Sequence, residues 1–411
     1  MDPAITDDLS CWVTKAGLSG TSETELLEEF CRRGIEAGLP IDRALVVVDT
    51  LHPVHEGRVF RWNSRNGGES EVLEYGRTNQ GGEVSENWRR SPFYQMLETG
   101  HSSMRRRLDE SCADEFPLFR ELMDQGQTDW VALIDRFTPG TEIGEMDCIY
   151  SSWTTAAPDG FGEDRIQALK RLVPSLGLSI KSASLARIAE TLVETYLGRD
   201  AGRRVLSGRI ERGVADRIEA ALWFSDLRGY TRITGEADPG QIIPFLNDYA
   251  EAVISAVHEA GGDVLKLIGD GVLAIFNEAS QAEACRCALR AEALARERIA
   301  EVNERRSAKG LPVTQAYIGL HVGEVFYGNI GSRDRLDFTV VGPAVNEASR
   351  IAAMCRSADR DVLVSDAFWA AASDEDRERL VSVGRYALRG VERPAELFTL
   401  NLWSEPDPAA S

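Results

Sequence analysis

No apolar run in this sequence approaches the roughly 18 to 20 residues needed to cross a bilayer. Its first eight residues hold three Asp and no Lys or Arg, the opposite of the basic start expected of a secretory signal. The expectation is a soluble, cytoplasmic protein with no membrane span. Positive charge is scarce: 46 Lys and Arg stand against 66 Asp and Glu, for a net charge of -20. Such a chain lacks the basic field that nucleic acid requires, so no nucleic-acid partner is expected. Any polyanionic substrate must be held by metal ions or by a few local basic groups. Paired cysteines are also missing. The seven cysteines are odd in number and include no Cys-x-x-Cys, which fits a reducing compartment. Cys285 and Cys287 lie two apart on a helical stretch and point to different faces. Histidine is rare, with five residues. His52 and His55 flank a proline turn and read as surface residues, His258 and His321 as structural ones.

What is present is globular: 43% hydrophobic and 27% charged residues in a chain of 411, enough for two or three cores. Residues 1–165 mix helix and strand. Residues 25–38 have helical apolar spacing, with Leu26, Leu27, Phe30 and Ile35 on one face. Residues 43–49, 58–62, 130–134 and 148–153 read as strands. The triplet Arg105, Arg106 and Arg107 reads as a solvated helix face. A turn at Pro158–Phe161 precedes a helix from Glu163. Residues 166–210 read as a helical linker interrupted at Pro174. In it Leu178, Leu185 and Leu192 recur every seven residues, with Ile188 between them. This is either a coiled-coil seam between two chains or one helix packed on its own domain. Gly198, Gly202 and Gly208 suggest a flexible joint. Residues 211–411 alternate strands and helices in the order of a β-α-β-β-α-β core. Asp238 and Pro239 open its first helix, Ile242, Leu246, Tyr249, Val253 and Val257 give it an apolar face, and Gly261–Gly262 end it.

Two carboxylates stand out in this last segment. Asp226 ends the apolar run from Ala221, and Asp270 interrupts the run from Val264 to Phe276. Carboxylates are poor residues in buried strands unless paired or bound to metal, and two of them suit hard divalent cations. Lys266 interrupts the same run as Asp270. Taken alone, that pair has a plain alternative: a snorkelling lysine and a turn aspartate. Farther on, Asp337 to Val341 reads as a strand, Gly342–Pro343 as a tight turn, and Asn346 and Arg350 share one face of the next helix. A fixed amide and a guanidinium suit a sugar and a phosphate.

The motifs Phe224-Ser225-Asp226-Leu227-Arg228-Gly229-Tyr230, Lys266-Leu267-Ile268-Gly269-Asp270-Gly271 and Val345-Asn346-Glu347-Ala348-Ser349-Arg350 resemble, in content and order, those of class III nucleotidyl cyclases. The resemblance implies an α+β fold with a ferredoxin-like βαββαβ catalytic domain. It implies that Asp226 and Asp270, with the carbonyl of Leu227, hold two Mg2+ or Mn2+ ions per active site. Asn346 would orient the ribose and Arg350 would stabilise the α-phosphate. Lys266 and Thr339 would read the base. A lysine donates to adenine N1, whereas guanine N1 is itself a donor, so ATP is the expected substrate and adenylate cyclase the expected activity. Asp337, two positions before Thr339, is a weaker candidate for the second base contact. The Lys–Thr combination resembles the subgroup that includes bicarbonate-responsive cyclases. Arg333 and Arg389 are candidates for the β- and γ-phosphates. In this family the metal aspartates come from one subunit and the other groups from its partner, so a homodimer is implied.

The strand, turn and helix at residues 148–163 resemble the end of a GAF-type sensor domain, which implies an α/β regulatory unit that answers to an unknown small molecule or signal. Alternative readings are a guanylate cyclase or a catalytically silent nucleotide-binding or dimerisation protein. The Gly261-Gly262-Asp263 triplet lacks the context of a diguanylate cyclase signature.

Overall fold

The computed structural model describes residues 2–137, 143–388 and 394–401. The chain divides into two compact units, Met1–Leu192 and Val193–Ser411. The segment that reads as a separate linker is shared between them.

The first unit comprises α1 (Pro3–Leu18), α2 (Glu23–Glu36), β1 (Arg43–Asp49), β2 (Gly57–Asn63), β3 (Ser70–Tyr75), α3 (Gly82–Arg89), α4 (Pro92–Thr99), β4 (Ser103–Arg107), α5 (Pro117–Asp124), β5 (Asp129–Arg136), β6 (Cys148–Thr155) and most of α6 (Glu163–Leu197). Its six strands form one sheet in the order β3-β2-β1-β6-β5-β4, and every pairing is antiparallel. Alternation along β1 divides the side chains between two cores. Ala44, Val46 and Val48 face a cluster with α1, α2 and α6, while Leu45 and Val47 face a cluster with α4 and α5. Helix α2 starts at a capping box in which Ser22 and Glu25 satisfy each other's backbone N–H groups.

Two expectations need correcting here, and a third resolves between its two readings. Arg105 to Arg107 lie on strand β4, not on a helix face. Alternation sends Arg105 and Arg107 to one side, where both meet the fully buried Asp129. The carboxylate of Asp129 also accepts from the Phe161 N–H at 3.1 Å, locking the turn before α6 onto the sheet. Gly160 sits there with φ +68°, and a Cβ would stand 2.3 Å from Asp129 Oδ2. Second, α6 runs through Pro174 without interruption. An internal proline costs about 3 kcal/mol, but Leu172, Val173 and Leu176 around it are buried in the core and hold the helix together. Third, three of the four repeat residues pack at least partly on the unit's own core, the second of the two readings. Ile188 is buried, Leu185 and Leu192 pack on the unit's own core, and Leu178 alone is exposed.

The second unit contains the end of α6, then α7 (Arg199–Leu206), β7 (Ala215–Leu227), α8 (Tyr230–Glu236), α9 (Pro239–Glu259), β8 (Asp263–Ile268), β9 (Gly271–Phe276), α10 (Gln281–Ser307), β10 (Ala316–Gly331), β11 (Leu336–Val341), α11 (Pro343–Ala358), β12 (Val362–Ser365), α12 (Asp366–Ala371), α13 (Asp374–Glu378), β13 (Leu380–Tyr386) and β14 (Ala395–Leu400). The eight-stranded sheet runs β13-β14-β12-β10-β7-β9-β8, with β11 paired to β10. Within it β10-β7-β9-β8 are mutually antiparallel, the arrangement produced by a β-α-β-β-α-β chain order.

Helices α9 and α10 cover one face through Phe245, Tyr249, Val253, Leu289 and Ile299. Asp238 caps α9 by accepting from the Gly240 N–H at 2.8 Å, and Pro239 fills the first turn. The other face is closed by α11 and α7, with Leu197, Ala201 and Val205 packed beside Leu222, Leu265 and Val340. Two of the three glycines read as a flexible joint are therefore tightly packed, while Gly208 (φ +94°) has open space around it. Gly198 (φ +89°) caps α7, and a Cβ there would stand 2.4 Å from the Val264 carbonyl. A Cβ on Gly202 would meet Glu194 at 3.0 Å.

Candidate active site

Strand register brings the two odd carboxylates together. In β7 and β9, Ser225 pairs with Val272, so Asp226 ends its strand beside the turn that carries Asp270. That turn has two central residues, Gly269 and Asp270, between paired Ile268 and Gly271. Gly269 supplies the positive φ (+66°) that the first position of such a hairpin demands. Gly271 permits the close approach, because a Cβ would stand 2.5 Å from the Ser225 carbonyl. Asp270 Oδ2 accepts from the Leu227 N–H at 3.1 Å.

Leu227 is positioned to contribute more than its N–H. Its neighbour Arg228 donates to the Gln315 carbonyl, which makes Leu227–Ala316 a non-hydrogen-bonded pair of the ladder. The N–H and C=O of Leu227 both turn away from β10, toward Asp270.

Asp226 is exposed as a residue, but partial burial of its carboxyl, then the hydrogen bond and charge of Asp270, push it up to about 6. Two carboxylates and a strand-end carbonyl form a hard oxygen donor set whose mutual repulsion a divalent cation relieves, so these residues fit Mg2+ or Mn2+. The sign of the pH effect follows. Asp226 binds its proton more tightly when folded than unfolded, so without metal it lowers stability progressively as pH rises from about 4 to 6. Added Mn2+ should raise the melting temperature clearly at pH 7.5 and little at pH 5, where Asp226 is protonated. An equal shift at both pH values in thermal denaturation would disconnect the ion from Asp226.

Lys266 lies on β8 just past a bulge between Val264 and Lys266. The bulge presents Leu265 and Lys266 consecutively toward the face of Leu273, where simple alternation would send Lys266 to the opposite side. The ammonium pairs with Asp337 on β11. Thr339 sits on the same face of β11 as Asp337 but is only 6% exposed. Asp337 is thus the direct partner of Lys266 in the chain, a contact that family spacing, which favoured Thr339, did not single out. Its signal was the two-residue alternation of a strand.

Asn346 and Arg350 stand one turn apart on α11, exposed and half-buried respectively. The helix is seated on β10 through Gly319, where a Cβ would stand 2.4 Å from the Ala352 nitrogen. Arg350 has no ion-pair partner among the described residues. Arg333 is exposed in the β10–β11 turn. Arg389 lies outside the described residues. His321 is buried and bonds Ser365 at 2.9 Å, consistent with a structural role. Among the described residues, no hydrogen bond or ion pair joins Lys266, Thr339, Asn346 or Arg350 to Asp226 or Asp270. One chain thus presents the carboxylate pair where β7 meets the β8–β9 turn, Lys266 paired with Asp337 across β8 and β11, and Asn346 with Arg350 on α11.

Residues 215–402 match the family model described as the adenylate and guanylate cyclase catalytic domain. The second unit is a class III nucleotidyl cyclase domain. The chain is similar to an adenylate cyclase of Anabaena cylindrica, 37% identical over 161 residues, which cover 38% of this chain and 31% of that protein. It is similar also to adenylate cyclase 1 of Rhizobium meliloti (strain 1021), 31% identical over 195 residues, or 46% of this chain and 29% of that one. The match thus spans less than a third of either relative. The solved adenylyl cyclase CyaB from P. aeruginosa aligns with a TM-score of 0.42 at 23% identity, over 46% of this chain and 96% of that chain. Among the described residues, no helix is long and apolar enough to cross a membrane.

Proposed function

We propose that the chain is an adenylate cyclase that converts ATP to 3′,5′-cyclic AMP and pyrophosphate in a homodimer, under control of its first unit. The observation that carries this reading is the Asp226–Asp270 pair, held side by side by the β7–β9 register and the bond from Leu227. Asp226, Asp270 and the Leu227 carbonyl hold the divalent ions. Bound there, Mg2+ or Mn2+ supplies Lewis acidity to the ribose 3′-hydroxyl and to the departing pyrophosphate. Lys266 donates to adenine N1, and Thr339 or Asp337 accepts from the exocyclic amine. Asn346 fixes the ribose so that its 3′-oxygen lies in line with the α-phosphate. Arg350 stabilises the extra negative charge as that phosphorus becomes five-coordinate. Arg333 and Arg389 bind the β- and γ-phosphates. The 3′-O–P bond forms as the bond from the α-phosphorus to its bridging oxygen breaks. Pyrophosphate leaves with the electron pair, and the hydroxyl proton passes to solvent.

Two kinds of support converge. The relatives above are adenylate cyclases by name. Exposed apolar side chains also crowd the elements that bear the separated half-sites: Leu267 and Ile268 on β8, Phe326 on β10, and Leu336 and Val341 on β11. These suit a second copy of the chain. The first unit is read as a GAF-like sensor, on the strength of β6, the Pro158–Phe161 turn and α6 in sequence. Turnover of labelled ATP and GTP with Mn2+ tests the reading. Cyclic AMP should form in clear preference to cyclic GMP, and no product from either nucleotide would favour a silent binding protein.

A further inference from the structure

The first unit has a partly open pocket of about 190 Å3 between its sheet and helices α4 and α5. The register builds its floor. Arg43 pairs with Thr154, and Thr154 with Trp130, so three strands contribute one continuous row. The next row runs through Arg61, Leu45 and Ser152. Phe93, Leu118 and Leu122 supply an apolar wall.

The polar groups of this cavity are incompletely matched. Trp130 is fully buried and Thr154 is 3% exposed, yet neither Trp130 Nε1 nor Thr154 Oγ1 has a hydrogen-bond partner. Buried donors are nearly always satisfied, and an indole N–H can only donate. Beside them stand two guanidinium groups. Arg43 bonds the side-chain oxygen of Gln125, but neither Arg43 nor Arg61 has an ion-pair partner among the described residues. Glu69 and Glu71 line the rim without reaching either arginine as an ion pair. Burial, and then the charge of Arg61, lower the Arg43 pKa against a smaller opposing pull from Glu121, so a further anion beside the pair is favoured.

We propose that this cavity binds a small organic carboxylate. Its head group takes Arg43, Arg61 and the donors of Trp130 and Thr154, and its apolar body lies against Phe93, Leu118 and Leu122. Arginine forks match planar carboxylates. An apolar cavity of about 150 Å3 accommodates benzene, so this one has room for a single ring or a short alkyl chain. Inorganic phosphate would satisfy the arginines but leave the apolar wall unused. The proposal deepens the regulatory reading of the first unit by naming a ligand class, but binding is measurable without turnover, so failure of the cyclase reading does not decide it.

Titration calorimetry of the full chain with benzoate and hexanoate tests the site. At least one of these acids should bind saturably, and benzyl alcohol and inorganic phosphate should bind about tenfold more weakly or worse. Arg61→Gln changes an exposed side chain and should leave the melting temperature of the free chain unchanged while weakening the acid about tenfold. Thr154→Val should weaken it too, and Trp130→Phe should abolish the ligand-induced change in indole fluorescence. Absence of binding by both acids would overturn the proposal. So would equal affinity for benzyl alcohol, or an affinity that Arg61→Gln and Arg43→Gln together fail to move. A change in cyclase rate on adding the acid would link the site to control of the second unit.

Discussion

An equimolar mixture of chains bearing Asp226→Ala and chains bearing Asn346→Ala should regain about a quarter of wild-type cyclase activity, although each variant alone is inactive. The expectation rests on the separation of the two groups within one chain. Asp226 and Asp270 share a strand end, while Asn346 and Arg350 project from α11 with no bond to either carboxylate. A two-fold dimer creates two identical sites, each drawing carboxylates from one protomer and the remaining groups from the other. Random assortment makes half the dimers mixed. Each mixed dimer pairs one intact site with one doubly damaged site, which gives the quarter. Each variant alone should lose activity by a factor on the order of 10³, since either the metal donors or the ribose anchor is removed from both sites. The measurement is turnover of the mixture after heterodimer formation has been verified by differential tagging. A mixture that forms heterodimers and stays inactive would show that each chain builds its site alone.

The cyclase-domain half of this chain was legible because its motifs are local features. A carboxylate at the end of an apolar run, a lysine four residues before another, and an Asn–Arg pair at helical spacing can each be seen in a short window. The first unit was less readable for the same reason. Asp129 is buried, but the arginines that neutralise it lie more than twenty residues away, on a strand too short and too charged to register as one. The strand β3, Ser70–Tyr75, went unseen because its charged residues hide the alternation. Pro174 looked like a break because proline's local cost is visible in a sequence and the packing that overrides it is not. The leucine repeat of α6 showed that a face was apolar, but not whether a second chain or the unit's own core covered it. The contact of Lys266 with Asp337 depends on a one-residue bulge, and a bulge leaves almost no trace in composition.

Replacing Lys266 with glutamate should lower kcat/KM for ATP by about 10³ and raise the ratio of GTP to ATP turnover. Adenine N1 accepts a hydrogen bond and guanine N1 donates one. A lysine can only donate and an ionised glutamate only accept, so the substitution reverses which purine is matched and which leaves a polar group unpaired. Asp337 makes the prediction sharper. Its side chain is 50% exposed, and an ion pair of that kind contributes at most about 1 kcal/mol to stability, so Asp337→Asn should fold normally. If Asp337 only steers the ammonium, Asp337→Asn should raise KM for ATP a fewfold and leave kcat near wild type. If it accepts from the adenine amine itself, the variant should lose discrimination between ATP and inosine triphosphate, as Thr339→Val should if the threonine has that part. Comparing the two variants on both nucleotides assigns the contact, since the nearly buried hydroxyl and the exposed carboxylate cannot both occupy one hydrogen-bonding position on the base. A Lys266→Glu chain that keeps the wild-type ratio of ATP to GTP turnover would remove Lys266 from base recognition altogether and leave its ion pair with Asp337 as a brace between β8 and β11.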